Sequence, residues 1–228
     1  MMRIVRVLGV LLLALGLLAG CGGGNGTSTN KSPVGDRLAA AQKYLDDSKA
    51  VTISLSTPEI PKGTQGILSA KGVGTKTPAF KGTVAVVQSG LSVKVPTIAV
   101  DGKVYIQFGG SWTTVDPATL GAPDPAQLFV AGKGLSSLIG DVKGAKAGKD
   151  TREGKKVLSS ITGTLSGSTV KGLIPAAGDG DFSAAYTLDE DDHLVTLKVR
   201  GPFYSKADNV TYTIGFSKYG ESETIAAP

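Results

Sequence analysis

The sequence predicts an α+β fold in which helices gather on one face of an antiparallel sheet. Three observations indicate this class: an amphipathic helix early in the chain, many consecutive segments that alternate apolar and polar residues, and a helical stretch between two groups of such segments. Alternation with a period of two places the apolar side chains on one face of a strand. The 32 glycines and the 6% aromatic content also fit a β-rich globular chain.

The first 20 residues predict an export signal. Arg3 and Arg6 precede an apolar run over residues 7–18, which is the layout of a secretory signal peptide. The run is shorter than the roughly 20 residues that a transmembrane helix needs. Residues 18–21 read Leu-Ala-Gly-Cys and resemble the bacterial lipobox, in which the cysteine receives a diacylglyceryl thioether and becomes the first residue after cleavage. We therefore expect lipidation of Cys21 and an extracytoplasmic protein anchored to the cell membrane.

This leader divides the chain into three parts. Residues 1–20 are the expected signal peptide, and residues 21–33 are the lipidated cysteine with a flexible linker, since residues 22–33 carry no apolar side chain. Residues 34–228 have the length of a single domain. Loss of the two leader arginines lowers the net charge from +5 to +3.

The first half of the domain reads as one helix followed by strands. Asp36 can cap a helix that extends to about Lys49, after which the period changes to two. Pro96 interrupts the alternation and predicts a bulge or an edge position. The predicted strands cover residues 51–55, 84–86, 91–95, 98–100 and 104–108 and the surroundings of Trp112, with turns at Ser89-Gly90, Asp101-Gly102 and Gly109-Gly110.

The second half begins with helical patterning after Asp116-Pro117. Asp124-Pro125 supplies an N-cap and a first-turn proline, and Gly132 and Gly134 divide the stretch into two short helices. Pro175 ends a further helix over residues 170–174. The predicted strands lie at residues 150–156, where two strands turn near Glu153-Gly154, and at residues 182–188, 194–200 and 210–216.

Residue counts narrow the chemistry of the chain. With one Cys and one His, a zinc site or a Cys-His or Ser-His pair would have to use Cys21 or His193. Ser168 and Lys171 match the S-x-x-K motif of serine β-lactamases, but the domain lacks the S-x-N and K-T-G elements, so we interpret Ser168 as a helix N-cap beside a solvated lysine. The acidic run 189–193 is explained more simply as a polar hairpin turn than as a metal site.

These counts predict no catalytic residue, no metal and no cofactor. Phosphate-binding loops of the GxxxxGK[ST] and GxGxxG types are absent from the sequence. A net charge of +3 without a concentrated basic and aromatic face also argues against a nucleic-acid partner. We expect a non-enzymatic monomer.

Short motifs spread over nearly the whole mature domain carry a resemblance to a known family. They are Asp101-Gly102-Lys103-Val104-Tyr105, Trp112 with Asp116-Pro117, Asp124-Pro125-Ala126-Gln127-Leu128, Ala145-Lys146 with Gly148, Asp150-Thr151 and Gly154, Leu173-Ile174-Pro175, and Ser217-Lys218-Tyr219-Gly220-Glu221. In this order, and behind a lipobox, they resemble the mycobacterial and actinobacterial LppX/LprA/LprF/LprG lipoprotein family. Tyr219 departs from the pattern, because several relatives carry Trp there.

The resemblance implies a curved antiparallel sheet, a half-barrel wrapped over helices, with an apolar cavity as in periplasmic carriers of the LolA/LolB type. It also implies binding of acylated lipids or glycolipids and their transport from the plasma membrane toward the outer cell envelope. An ordinary close-packed core is the alternative for every candidate wall residue. The candidates are Val84, Val86, Val93, Val104 and Ile106 on the sheet, Leu128, Phe129, Leu135, Leu138 and Ile139 on the helical side, and Leu173, Phe182 and Tyr186.

Two other functions stay open at this point. The chain can be an interaction module that presents a solid domain to another envelope protein, such as a membrane exporter, and binds no lipid. A carboxylate-based hydrolase has less support, because no pair of acidic residues is singled out by spacing.

Residues 142–156 carry six basic and two acidic side chains. The simpler interpretation is a solvated sheet edge whose lysines discourage strand pairing. The alternative is that Lys146, Lys149 and Arg152 contact anionic headgroups of the membrane or of a bound lipid.

The lipobox generates the first prediction. Cys21→Ala removes the acceptor of the diacylglyceryl group, so the variant should be processed poorly or released in soluble form, whereas the parent protein partitions into detergent with the mass of a diacylated cysteine. Detergent phase separation and intact-mass spectrometry measure both. An unmodified Cys21 thiol in membrane-bound native protein would contradict the prediction.

Overall fold

Twelve antiparallel strands form one open, curved sheet in a computed structural model that describes residues 32–120, 122–204 and 209–228. The strands are β1 (Ala50–Ser56), β2 (Gly66–Thr75), β3 (Ala79–Gln88), β4 (Leu91–Val100), β5 (Lys103–Phe108), β6 (Ser111–Val115), β7 (Lys143–Ala147), β8 (Thr151–Glu153), β9 (Lys156–Leu165), β10 (Phe182–Leu188), β11 (Leu194–Gly201) and β12 (Val210–Ser217). The helices are α1 (Val34–Asp47), α2 (Ser137–Gly140) and α3 (Gly167–Leu173), with 3-10 helices at Pro117–Leu120 and Pro125–Phe129. The expected signal peptide, Cys21 and the linker as far as residue 31 lie outside the described residues.

The strand order places the middle of the chain at both edges of the sheet. β1 pairs with β12 at the centre, β2 to β6 follow outward on one side, and β11 to β7 follow on the other. β6 forms one edge, and β7 and β8, which both pair with β9, form the other. The segment between β6 and β7 therefore passes from one edge to the other, and it carries both 3-10 helices and α2 over the inner face.

The main core lies between the inner face of the sheet and these helices. Paired residues of neighbouring strands share a face, so Val199 and Tyr212 both point inward. Leu38 and Ala41 of α1 and Ile139 of α2 pack in the same cluster. The predicted α+β fold with a curved sheet over helices is confirmed.

A smaller apolar cluster lies on the outer face of β3 and β4. Ala79, Ile98 and Val100 form it, and Trp112 and Ile225 pack against them. Ile225 belongs to the segment after β12, so the C-terminal end of the chain covers part of the outer face.

Two strands, β2 and β7, have no counterpart in the prediction because each contains a bulge. In β2 the register shifts between Ile67 and Ser69, and this shift turns both Ile67 and Ala70 inward although they are three residues apart. β7 is irregular between Lys143 and Lys146. A bulge interrupts the period of two, which removes the pattern that predicts a strand.

Glycines on the inner face of β2 make room for aromatic rings. A Cβ atom on Gly74 would lie 2.1 Å from the ring of Phe129, and one on Gly72 would lie 2.6 Å from the ring of Phe80. The two rings stack with centroids 6.2 Å apart. The absence of a Cβ therefore lets the helical segment approach the sheet at this end.

Most other predicted elements are confirmed, but the expected Asp36 cap is wrong, because α1 begins at Val34 and Asp36 lies within its first turn. Ser89 and Gly90 have φ values of 51° and 78°, as a tight two-residue hairpin requires. Asp124 accepts the backbone N–H of Ala126 at 2.9 Å and caps the 3-10 helix that follows. The register between β3 and β4 is continuous through Pro96, so the expectation of a bulge there is wrong. β4 pairs with β5 only from Thr97 onward, so Pro96 occupies an edge position, which was the other expectation.

The acidic run 189–193 is the turn between β10 and β11. The Asp189 carboxylate accepts the backbone N–H groups of Asp191 at 3.0 Å and of His193 at 2.8 Å. Arg37 of α1 is buried and donates to Asp192 at 2.6 Å. The turn thus holds α1 against the sheet.

Candidate functional site

An apolar cavity lies between the inner face of the sheet and the helices. Its volume is about 200 Å³. β1, β2, β3, β11 and β12 supply the sheet side. The lining residues are Ile53, Leu55, Gln65, Gly66, Ile67, Ala70, Phe80, Val84, Ala122, Pro123, Pro125, Leu128, Leu135, Leu138, Val170, Leu173, Ile174, Ala176, Val199, Phe203, Tyr204, Tyr212 and Ile214.

The exposure of the lining residues locates the opening. Gln65, before β2, and Ala176, after α3, are exposed. Ile53 and Phe80 are buried and lie farther along their strands. The cavity therefore opens between the β1–β2 and α3–β10 connections and ends near Phe80.

Nearly all of the lining is hydrocarbon. No Lys, Arg, Asp, Glu or His occurs among the lining residues of the described chain, and Gln65 is the only amide side chain. The remaining polar side chains are two tyrosines, Tyr204 and Tyr212. Such a cavity stabilises an uncharged, mostly apolar group and provides no counter-charge for an anion.

The two tyrosine hydroxyls are hydrogen-bonded to each other and to the backbone. Tyr212 Oη donates to the carbonyl oxygen of Ile67 at 2.7 Å, and it lies 2.6 Å from Tyr204 Oη. Burial raises the pKa of Tyr204 and of Tyr212, so both hydroxyls are protonated at neutral pH.

Five of the predicted wall residues line the cavity: Val84, Leu128, Leu135, Leu138 and Leu173. Val84 comes from β3, Leu138 from α2 and Leu173 from α3, so the structure brings together residues far apart in sequence. Their contact with a lipid stays a prediction.

Eight predicted wall residues lie elsewhere. Val86, Val93 and Ile106 face the inner side of the sheet but do not line the cavity, and Val93 is 40% exposed. Phe129 lies over Gly74 and lines a separate small cleft. The other four, Val104, Ile139, Phe182 and Tyr186, are buried in the close-packed core.

Sequence reasoning missed much of the sheet side of the cavity. The bulge in β2 interrupts the period of two, so the sequence pattern did not identify Ile67 and Ala70 as inward-facing. Val199, Tyr212 and Ile214 lie on predicted strands, and their alternation marks them as inward-facing. Alternation alone does not tell which inward residue faces a void.

The three basic residues proposed to contact headgroups lie away from the cavity. Lys146 is on β7, Arg152 is on β8, and Lys149 lies between these two edge strands. All three are exposed, and none lines the cavity. This placement agrees with the solvated edge and gives no support to contact with a lipid held inside.

Two other sequence motifs take structural roles. Ser166, rather than Ser168, caps α3 by accepting the backbone N–H of Thr169, and Lys171 pairs with Asp179 instead of standing free. The interpretation of Ser168 as the N-cap is therefore wrong.

The ligand-type side chains of the β10–β11 turn approach one another. Carboxylate and ring atoms of Asp189, Asp191 and His193 lie within 4.8 Å of one another. The Asp189 carboxylate already accepts two backbone N–H groups of its own turn, and the His193 ring stacks on Tyr44 with centroids 3.7 Å apart. These contacts explain the proximity of the three side chains by the structure of the turn, without a metal ion.

Known proteins share this architecture. A family model described as LppX_LprAFG lipoprotein matches residues 35–225. The crystal structure of LprF from Mycobacterium bovis has a TM-score of 0.71 at 17% identity, over 86% of this chain and 96% of LprF. That of the lipoprotein LppX from Mycobacterium tuberculosis has a TM-score of 0.62 at 17% identity, over 85% of this chain and 98% of LppX. No curated protein matches the sequence significantly.

No helix among the described residues is long and apolar enough to cross a membrane.

The buried tyrosines generate a prediction for alkaline pH. Burial raises the pKa values of Tyr186, Tyr212 and Tyr219, the last also through the nearby charge of Asp189. Above the ordinary tyrosine pKa of about 10, the unfolded chain releases these protons and the folded chain keeps them, so stability falls as pH rises. Each such tyrosine contributes a slope of up to about 1.4 kcal/mol per pH unit.

Urea unfolding between pH 8 and pH 11 measures this slope. Tyr186→Phe should lower stability at pH 8, because the hydroxyl donates to the carbonyl oxygen of Leu138, and should also make the alkaline slope shallower. A free energy of unfolding that stays constant between pH 9.5 and pH 11 would contradict the prediction.

Proposed function

Because the chain belongs to the LppX_LprAFG lipoprotein family, we propose that it is a lipid carrier that holds an acylated lipid or glycolipid in its cavity. The observation that supports this proposal most directly is the cavity lining, in which the described side chains are hydrocarbon except for one amide and two hydroxyls. Transfer of the lipid toward the outer cell envelope is the corresponding transport step.

The physical need for a cavity follows from the cost of exposing an acyl chain. Each CH₂ group in water costs about 0.8 kcal/mol relative to an apolar environment, so a chain of about 16 carbons costs roughly 13 kcal/mol. A carrier lowers this cost by replacing the bilayer with an apolar wall during transfer. Among the residues that the structure describes, no charged side chain lines this wall.

The size of the cavity indicates how much lipid it accepts. A cavity of about 200 Å³ is far larger than the roughly 10–15 Å³ that one water molecule needs. It therefore has room for a segment of an acyl chain, and a lipid with several long chains requires expansion of the cavity or leaves chains outside.

The proposal includes the anchor. A diacylated Cys21 holds the protein at the extracytoplasmic face of the cell membrane, and a flexible linker of about a dozen residues has a reach of roughly 20 Å. The opening of the cavity can then approach the membrane surface. We propose a monomer without enzymatic activity, and a membrane exporter is the candidate protein partner.

The basic edge supports a second, separate proposal: weak attraction of the domain to an anionic membrane. Changing Lys146, Lys149 and Arg152 together to Gln should reduce binding to anionic vesicles by roughly a hundredfold, since each charge near the surface contributes about 1 kcal/mol. Co-sedimentation with anionic and neutral vesicles measures this. Binding should vanish near 1 M salt, where the Debye length is about 3 Å.

A matched variant changes the same net charge elsewhere. Lys94, Lys103 and Lys198 are exposed on β4, β5 and β11, and their triple change to Gln should weaken binding much less. If the two triple variants weaken binding equally, the attraction depends on the net charge of the domain and not on the basic edge, and the proposal is contradicted.

The carrier proposal is tested by filling the cavity. Ala70 lines it between Leu55 and Val84, so the ring of Ala70→Trp would enter the space of an acyl chain. In a Cys21→Ala background, which has no covalent lipid, the protein from a lipid-rich actinobacterial host should carry organic-extractable lipid. Ala70→Trp should lower that lipid at least about tenfold, which a loss of only 1.4 kcal/mol achieves.

Val93→Trp is the control, because Val93 is exposed and lies outside the cavity. It should keep its lipid, and both variants should unfold within about 1 kcal/mol of the parent protein. If no lipid is extracted from the parent and Ala70→Trp loses the roughly 1–3 kcal/mol typical of overpacking, the interior is solid and the carrier proposal fails.

A further inference from the structure

The two tyrosine hydroxyls in the cavity have a fixed direction of hydrogen bonding. The carbonyl oxygen of Ile67 can only accept, so the single proton of Tyr212 lies on the 2.7 Å contact between them. The proton on the 2.6 Å contact between the hydroxyls must then come from Tyr204. Tyr204 Oη has no further proton to donate and retains a free lone pair.

This oxygen lies next to the opening of the cavity. A Cβ atom on Gly66 would stand 2.2 Å from Tyr204 Oη, so the hydroxyl is in direct contact with the Gly66 backbone. Gly66 and Tyr204 both line the cavity, and the neighbouring Gln65 is exposed. The junction between a buried acyl chain and its solvent-exposed headgroup would lie at this level.

The surroundings favour a neutral hydrogen-bond donor over an anion. A phosphate or carboxylate oxygen would meet an oxygen that can only accept, and the described lining offers no basic side chain to neutralise it. A ligand hydroxyl or amide N–H satisfies the free lone pair of Tyr204 with one hydrogen bond.

We propose that Tyr204 is an acceptor subsite that selects lipids bearing an uncharged donor, a hydroxyl or amide N–H, at the junction of acyl chain and headgroup. Tyr212 fixes this polarity because it accepts a hydrogen bond from Tyr204 and donates its own to the carbonyl oxygen of Ile67. The inference rests on the carrier function proposed above. It adds to that function the chemical class of the ligand group next to the acyl chain, and it names the residue that recognises this group.

The test compares three ligands that differ only at this group: hexadecanol, its methyl ether and palmitate. Their dissociation constants are measured at pH 8 by displacement of a fluorescent apolar probe from delipidated full-chain protein carrying Cys21→Ala. Hexadecanol should bind about 2- to 10-fold more tightly than the methyl ether, the range expected for one net hydrogen bond. Palmitate should bind more weakly than hexadecanol.

Two variants separate recognition from packing. Tyr204→Phe removes the acceptor next to the opening and should reduce the preference for hexadecanol over the methyl ether. Tyr212→Phe frees the proton of Tyr204 to donate to the ether oxygen, so the preference for the alcohol should fall although Tyr204 is intact. Tyr105→Phe, on the outer face of β5, should behave as the parent protein, and urea unfolding confirms that each variant is folded.

The outcomes distinguish the two proposals. If none of the three ligands binds the parent protein, the carrier proposal fails. If hexadecanol and its ether bind the parent equally, or if Tyr204→Phe keeps the preference, the carrier proposal stands and the Tyr204 subsite is overturned.

Discussion

The pairing of β1 with β12 at the centre of the sheet is the constraint on which the rest of the molecule depends. Because strands near the two ends of the domain meet in the middle, the two sheet edges belong to the middle of the chain. The connection between β6 and β7 must then cross the inner face, because the apolar side chains on that face have to be buried. One pairing therefore decides both the open sheet and the position of its cover.

The cover is incomplete, and this is the origin of the cavity. Short 3-10 helices and the single turn of α2 fill less space than long helices would, and the missing Cβ of Gly74 lets the ring of Phe129 lie close to the sheet. Toward the other end of the strands, the same cover stands off from β1, β2 and β12, and a space lined by hydrocarbon remains. The main cavity therefore lies away from the contact of Phe129 with Gly74.

Tyrosine hydroxyls satisfy the backbone where this arrangement leaves carbonyl oxygens without a regular partner. Leu138 lies in α2, whose last carbonyl groups have no partner within the helix, and Tyr186 donates to it. Ile67 borders the bulge in β2, where the ladder is interrupted, and Tyr212 donates to it. The second of these contacts also sets the polarity of Tyr204, so a structural hydrogen bond determines what the cavity can recognise.

The sequence by itself determined the period-two strands, their glycine turns and the Asp124 cap, because each of these depends on neighbouring residues in the chain. Its short motifs also indicated the family to which the chain belongs. It did not reveal β2, whose bulge breaks the period. Alternation shows which face of a strand is apolar, but only the tertiary structure decided that Val84 faces a void and Tyr186 a packed core, because that depends on what lies opposite. The chain of hydroxyls from Tyr204 through Tyr212 to the carbonyl of Ile67 likewise exists only after folding, since it joins residues on opposite sides of the sheet's central strand pair.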